Sequence, residues 1–188
     1  MEEVIKKAIH ESIAAKEALL HESAHIKKAA EEIINALKHG HKVLACGNGG
    51  SAADAQHFVA ELVGRFEKER KALPAICLTT NTSTLTAISN DYDYNVVFKR
   101  QVEALGEKGD VLLGITTSGN SRNVLMAIEA AKDKGMKTIC LTGREGGVAA
   151  SECDIPIVIK NPVTARIQEC HILTIHIICS LIDREDWK

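Results

Sequence analysis

The chain reads as a three-layer α/β/α domain on a parallel sheet, preceded by a helical arm. Three observations predict this class. Five short apolar runs recur between residues 42 and 159, helical patterns separate most of them, and residues 1–40 carry helical periodicity alone. Continuous apolar runs mark strands covered on both faces, and their alternation with helices is the grammar of βαβ units.

The elements follow in order. From Val4 to Leu37, the positions Val4/Ile5, Ala8/Ile9, Ile13, Leu19/Leu20, Ile26, Ala29/Ala30, Ile33/Ile34 and Leu37 recur at helical spacing, giving one long helix or a pair. Gly40 stands where a C-terminal cap belongs. About 35 residues of helix reach about 50 Å, more than the width of a compact domain, so part of the arm is expected to pack on another subunit. Strands are expected at Lys42–Cys46, Ala75–Thr79, Val111–Thr116, Thr138–Thr142 and Ile155–Ile159. Helices are expected at Ala52–Phe66, Asn95–Leu105, Val124–Lys134 and Val163–Ile182, the last introduced by Asn161-Pro162 in the preferred N-cap and N1 places. Glu67–Lys71 (EKERK) reads as a solvated loop. No repeat, low-complexity stretch or linker divides the chain, so residues 1–188 form one domain, with an arm at 1–40 and an α/β core at 41–188.

Composition narrows the function. A chain of 188 residues buries about 70% of its unfolded surface and needs neither disulfide nor metal to fold. With 23 Lys+Arg against 25 Asp+Glu the net charge is −2, which argues against a nucleic-acid or anionic-membrane partner. Aromatics at 3% leave few stacking platforms for single-stranded nucleic acid. The six cysteines lie far apart without a C-x-x-C pair, as small core residues of a reduced, cytoplasmic protein do. The N-terminus lacks the apolar core of a signal peptide, and Thr174 and His176 break the most apolar C-terminal stretch, so no membrane span is expected.

In open parallel sheets ligands bind beyond the carboxyl ends of the strands. The first such loop is Gly47-Asn48-Gly49-Gly50-Ser51, where glycines let backbone approach a ligand and a helix N-terminus follows. Ser51 and Asp54 are spaced as a capping box. Gly47, Gly49 and Ala52 also match the dinucleotide fingerprint, but the second strand ends Leu78-Thr79-Thr80-Asn81 without the required acid, and no G-K-[ST] follows for a Walker loop. The third strand ends in Thr116-Thr117-Ser118-Gly119-Asn120-Ser121 before a helix; four hydroxyls and a helix N-terminus suit a monophosphate. The plainer alternative is a loop whose Asn120 or Ser121 caps the helix.

On the first core helix His57 and Glu61 stand four apart and share a face, roughly opposite the Phe58, Leu62 and Phe66 stripe. Ala53, Ala60 and Gly64 beside them allow another backbone to come close, so the pair is expected to be covered. The last helix places Gln168, His171, Thr174 and His176 among apolar residues, and buried polar groups must find partners. A core histidine bonded to a carbonyl and a catalytic or ligand histidine are both open readings there.

At GNGGSAADAQHFVAEL (Gly47–Leu62), TTSGNS (Thr116–Ser121), RIQECHILTIH (Arg166–His176) and TSTLTAISNDYDYNVVF (Thr82–Phe98) the chain resembles the phosphoheptose isomerase family of the sugar isomerase (SIS) superfamily. The resemblance covers nearly the whole chain and implies a five-stranded, flavodoxin-like parallel sheet in a homotetramer. It implies interconversion of sedoheptulose 7-phosphate and D-glycero-D-manno-heptose 7-phosphate through an enediol. By position, His57, Glu61, Gln168 and His176 match that family's zinc ligands, one zinc per chain, with Glu61 and His176 also its acid/base pair. Asn48, Gly49, Gly50, Ser51, Glu61, Asn90, Asp91, Thr116, Thr117, Ser118, Ser121 and Gln168 match its substrate contacts. Thr116 stands where the family usually has Ser and keeps the hydroxyl. Gln168 and His176 are eight residues apart, about 12 Å along a straight helix, so sharing one metal requires extended side chains or different chains. Two rivals remain at this stage. One is a non-catalytic SIS protein binding a sugar phosphate or a replication-initiation partner, which typically lacks the helix carboxylate; the other is the dinucleotide oxidoreductase, disfavoured by the missing acid.

Overall fold

The computed structural model describes residues 1–187. The strands β1 (Val43–Gly47), β2 (Ala75–Cys77), β3 (Val111–Thr116), β4 (Lys137–Gly143) and β5 (Ile155–Ile159) form one parallel sheet in the order β2-β1-β3-β4-β5. β1 and β3 are buried along their whole length, which is why their sequences are continuously apolar. Their register pairs Val43 with Val111 and Leu44 with Leu112. Val43, Ala45, Val111, Leu113, Ile115, Ile139 and Leu141 thereby enter one core layer, while Leu44, Cys46, Leu112 and Cys140 enter the other. A one-residue slip would exchange the two sets.

The first layer is roofed by α1 (Glu2–Ala18), α2 (Ser23–Lys38), α3 (Gly50–Val63) and α8 (Thr164–Ile182). The second lies under α4 (Thr82–Asp91), α5 (Val97–Leu105), α6 (Arg122–Asp133) and α7 (Gly147–Glu152). Phe58 and Leu62 on α3 are fully buried, and truncating such a Phe to Ala typically costs about 3–5 kcal/mol. α8 is long and apolar enough to cross a membrane by length and composition. Its buried residues Ile167, Cys170, Ile175, Ile178 and Ile182 instead pack into the first core layer.

The arm is the pair of helices, joined by a short 3-10 turn at Leu19–Glu22. Gly40 ends α2 with φ +81°, its N–H bonding the Leu37 carbonyl and the His41 N–H the Ala36 carbonyl, so the expected cap is a Schellman turn. Arg166 of α8 donates to the Ala8 carbonyl at 3.0 Å and pairs with Glu11. Only Ala15 of α1 is buried, and Val4, Ile5, Ile9 and Ile13 remain 50–71% exposed.

Some expectations are corrected. β2 is only three residues long, because Leu78-Thr79-Thr80 turns towards α4. α4 is a helix in a stretch rich in β-branched residues of low helix propensity; Asn81 caps it, accepting from the Thr84 N–H at 3.0 Å. α7 is a six-residue helix too short to show periodicity. The N-cap of α8 is Val163, not Asn161; the Asn161 side chain accepts from the Val163 N–H, forming a turn two residues before the helix.

Candidate active site

Strand order reverses between β1 and β3, which opens a crevice at their carboxyl ends. Both loops singled out by sequence border it. After β1 the chain turns through Asn48 and Gly49, whose φ +55° and ψ −120° suit glycine alone. α3 starts at Gly50 with Gly49 as N-cap and no side-chain cap bond, so the expected Ser51/Asp54 capping box is not formed. Ser51 lies inside the first turn, buried, because the helix begins one residue before it.

Asn48 and Asn123, the second residue of α6, exchange side-chain amide hydrogen bonds of 2.9 and 2.8 Å, and the Tyr94 hydroxyl donates to Asn48 Oδ1 at 3.2 Å. This reciprocal pair ties the glycine loop to the loop after β3. There the Thr116 hydroxyl lies 2.9 Å from that of Ser121 and 3.4 Å from that of Ser118, while the Asn120 N–H donates to Ser118 Oγ at 3.1 Å. Ser121 is the N-cap of α6 yet makes no side-chain cap bond; its hydroxyl turns to Thr116 instead. Gly119, at φ +69°, has no room for a Cβ, which would lie 1.9 Å from the Gly146 carbonyl oxygen. The hydroxyl loop is thus pressed against the loop after β4 and held in shape before any anion arrives.

The helix pair α3 and α8 carries the titratable groups. Gln168 lies against Gly50, where a Cβ would meet its Nε2 at 2.4 Å. Two turns further, His57 Nε2 and Glu61 Oε1 are 2.8 Å apart, and the His57 and His176 rings meet edge-on with centroids 5.1 Å apart. The Phe66 ring, just beyond α3, stacks on His176 at 5.5 Å and 24°. Asp54 shares the α3 face of His57 and Glu61 at helical spacing. Its Oδ2 is buried without a partner, and burial raises its pKa against the opposing pull of His57. His171 is fully buried, its Nε2 3.0 Å from the Thr142 carbonyl, and burial pushes its pKa down to about 4. It is a neutral core histidine, the plainer of the two readings for the last helix.

The structure therefore brings His57, Glu61 and His176 together at one end of the helix pair. It gathers Asn48, Gly49, Gly50, Ser51 and Gln168 at the other end, beside Thr116, Ser118 and Ser121. Thr117 is half-buried and turns its carbonyl towards Gly143. Asn90 and Asp91 are exposed at the end of α4 and bond to each other at 2.9 Å. Sequence reasoning missed Asn123 and Tyr94, whose signal was an asparagine in the first turn of α6 and the second tyrosine of the Tyr92-Asp93-Tyr94 run after α4. It also missed Arg70 and Asp183, a buried ion pair at 2.9 Å between the end of α8 and the loop after α3. Among the described residues no group of three or more His, Cys, Asp or Glu is pre-arranged as a metal cage.

Comparison with known proteins places the fold in a family. The SIS domain family model matches residues 8–143. A phosphoheptose isomerase of Clostridium acetobutylicum is 50% identical over 188 residues, 98% of this chain and 96% of that protein. One of Aliarcobacter butzleri is 59% identical over 85% of each chain. Among solved structures, the phosphoheptose isomerase of Neisseria gonorrhoeae superposes with a TM-score of 0.93 at 48% identity, covering 98% of this chain and 99% of that one. That of Francisella tularensis gives 0.94 at 42% identity, covering 97% and 98%. A five-stranded parallel sheet, a SIS match across the arm and most of the core, and relatives aligned nearly end to end lead to one assignment: the chain belongs to the phosphoheptose isomerase family of SIS-domain proteins, which are aldose–ketose isomerases.

Proposed function

We propose that this chain interconverts sedoheptulose 7-phosphate and D-glycero-D-manno-heptose 7-phosphate through an enediol, as the first step of nucleotide-activated heptose biosynthesis. The observation that carries this reading is the cluster of His57, Glu61 and His176 on the α3/α8 pair, whose other end meets the glycine loop beside the hydroxyl loop. Isomerisation needs a base that removes a proton from one carbon of the open-chain sugar and returns it to its neighbour. Glu61 is that base, a half-buried carboxylate whose Oε1 is already oriented by His57. His176 protonates the sugar oxygen as negative charge develops on it. Thr116, Thr117, Ser118 and Ser121, with the N-terminus of α6, hold the phosphate; Asn48, Gly49, Gly50, Ser51 and Gln168 hold the sugar hydroxyls, with Asn90 and Asp91 closing over from α4.

The donor set also suits zinc, about one ion per chain, held by His57, Glu61 and His176 with Gln168 as fourth donor. Two imidazoles and a carboxylate already share one cluster in the single chain, whereas Gln168 lies by Gly50. Bound there, zinc would supply positive charge to the developing enediolate oxygens. An oligomer, a tetramer by family likeness, is supported by the exposed apolar stripe of α1 and by an apolar groove of about 370 Å³ lined in part by Leu19, Leu20, Ile26, Leu173 and Ile177. Six unpaired cysteines support a reducing, cytoplasmic setting.

Incubation with sedoheptulose 7-phosphate in D2O, followed by NMR of the anomeric region, tests the reaction. The expected result is a new aldose anomeric signal with deuterium at the carbon that exchanges through the enediol. No new sugar signal from folded, zinc-supplied protein would overturn the assignment. Metal analysis should find about one zinc per chain, with activity lost on chelation and restored by zinc. Full turnover of metal-free protein, unchanged by added zinc, would remove the ion from the mechanism.

A further inference from the structure

The loop after α3 reads in sequence as solvated, yet it is anchored more firmly than an exposed turn requires. Asp183, at the end of α8, accepts from the Glu67 and Lys68 N–H groups at 2.7 and 3.0 Å and from Arg70 Nε at 2.9 Å. Burial alone would raise the Asp183 carboxyl, but these hydrogen bonds and the Arg70 charge hold it below the usual carboxylate range. Arg70 turns its other donors chiefly to the end of α3, Nη2 to the Glu61 carbonyl at 2.6 Å and Nη1 to the Leu62 and Gly64 carbonyls at 2.9 and 3.2 Å, with Nη1 also 3.1 Å from the Lys71 carbonyl. The two side chains are only 5% and 1% exposed. One buried guanidinium therefore closes the orphan carbonyls of the helix that carries Glu61 and fastens that helix to the one that carries His176.

Phe66 sits inside this anchored loop, directly before the two N–H groups that Asp183 holds. Its ring lies almost parallel to the His176 imidazole, while the His57 and His176 rings meet in a T-shaped pair at 64°. No hydrogen bond to the His176 ring is seen among the described residues, so within the chain itself, apart from any bound metal, these ring contacts are what orient it. We propose that Phe66 is a positioning residue for the acid–base pair: the Arg70–Asp183 clamp holds the Phe66 ring in place, and that ring fixes the tilt of the His176 imidazole relative to Glu61. The inference rests on the reading of Glu61 and His176 as the acid–base pair.

The test uses the full chain with 13C-labelled histidine. In wild-type protein the His176 ring protons, assigned by loss of their signal in His176→Gln, should show the upfield displacement that a stacked aromatic ring produces. In Phe66→Leu that displacement should vanish, and kcat should fall about tenfold or more with KM changed less than about twofold, the pattern of a lost transition-state geometry rather than lost binding. Phe66→Tyr, which keeps the ring, should restore both. Asp183→Asn should loosen the same loop and reproduce both effects; because breaking a buried ion pair endangers the fold, Phe66→Leu, which leaves the clamp intact, is the deciding variant. Unchanged His176 signals, or wild-type kcat in folded Phe66→Leu, would overturn the proposal. Wild-type turnover in Glu61→Gln would instead overturn the acid–base reading, so the two failures are distinguishable.

Discussion

The loops at the carboxyl edge of the sheet and the helix pair α3/α8 carry the candidate residues between them but are built on different principles. The loops use short, uncharged groups: hydroxyls of Thr116, Ser118 and Ser121 bonded to one another, and an amide pair between Asn48 and Asn123. The helix pair uses long or titratable groups, and a buried ion pair fastens them. A phosphate carries its charge into the site and needs only pre-arranged donors, whereas proton transfer needs groups that change charge and therefore must be held from outside. On the proposed reading, binding and chemistry are divided between these two regions, and changes in each should have separable consequences.

The largest effect should come from removing the arm, because α2 and α1 pack on α8 and leave the loops untouched. A chain beginning at His41 should lose assembly and activity together; a fully active monomer in sedimentation and assay at one concentration would refute the dependence. Next in size is Glu61→Gln, which keeps the shape but removes the proposed base. Turnover should fall about 10²-fold or more, while calorimetry still detects sugar-phosphate binding. Loss of binding as well would mean that the two regions are not separable in the way the geometry implies.

The two regions also differed in how far the sequence disclosed them. The loops are local: Gly49 and the Thr116–Ser121 run declare a backbone turn and a donor cluster within a few consecutive residues. The helix pair is tertiary. His57 and Glu61 were visible as neighbours four apart, but that His176 would meet them, and Gln168 would lie nearer Gly50, depends on how α8 packs beside α3. Arg70 and Asp183 were hidden for the same reason, since residues 113 positions apart leave no local pattern and the EKERK run looks like any charged surface. Strands of continuous apolar character were legible throughout, whereas α4 was concealed by its threonines, and the expected Ser51/Asp54 box fails because α3 starts at Gly50, two residues before the expected Ala52.

A third, smaller effect separates the histidines of α8. His176 belongs to the cluster, while His171 is neutral in the core with a folded pKa of about 4. Its unfolded value is about 6.5, so the unfolded chain takes up a proton that the folded one refuses. Stability from this residue is therefore present above about pH 6.5 and is lost progressively as the pH falls towards 4, by about 2 kcal/mol between pH 7 and pH 5. Urea denaturation of the wild type and of His171→Leu at both pH values isolates this contribution from the other titrating groups. The loss on acidification should be smaller in the variant by about that amount; equal losses would place His171 in a solvated or already charged environment.

The smallest effect should be Ser118→Ala, and it tests the loop side of the division most directly. The Ser118 hydroxyl accepts from the Asn120 N–H and lies near that of Thr116, so it can turn its proton to a phosphate oxygen without breaking the loop. A hydrogen bond to a charged group contributes about 1.5–3 kcal/mol, and with other donors left to share the phosphate its loss should weaken phosphate-ester binding by about tenfold, the low end of that range. The neighbouring hydroxyls and the α6 N-terminus remain, which keeps the loss partial. Because the phosphate is remote from the reacting carbons, its binding energy also helps orient them, and free sedoheptulose should be a very poor substrate of the wild type. The pattern expected is a raised KM in Ser118→Ala with kcat largely kept, the reverse of Glu61→Gln. Equal turnover of free sugar and sugar phosphate, or a Ser118→Ala enzyme that loses kcat at unchanged KM, would reduce the hydroxyl loop to a helix cap and erase the distinction between the two regions.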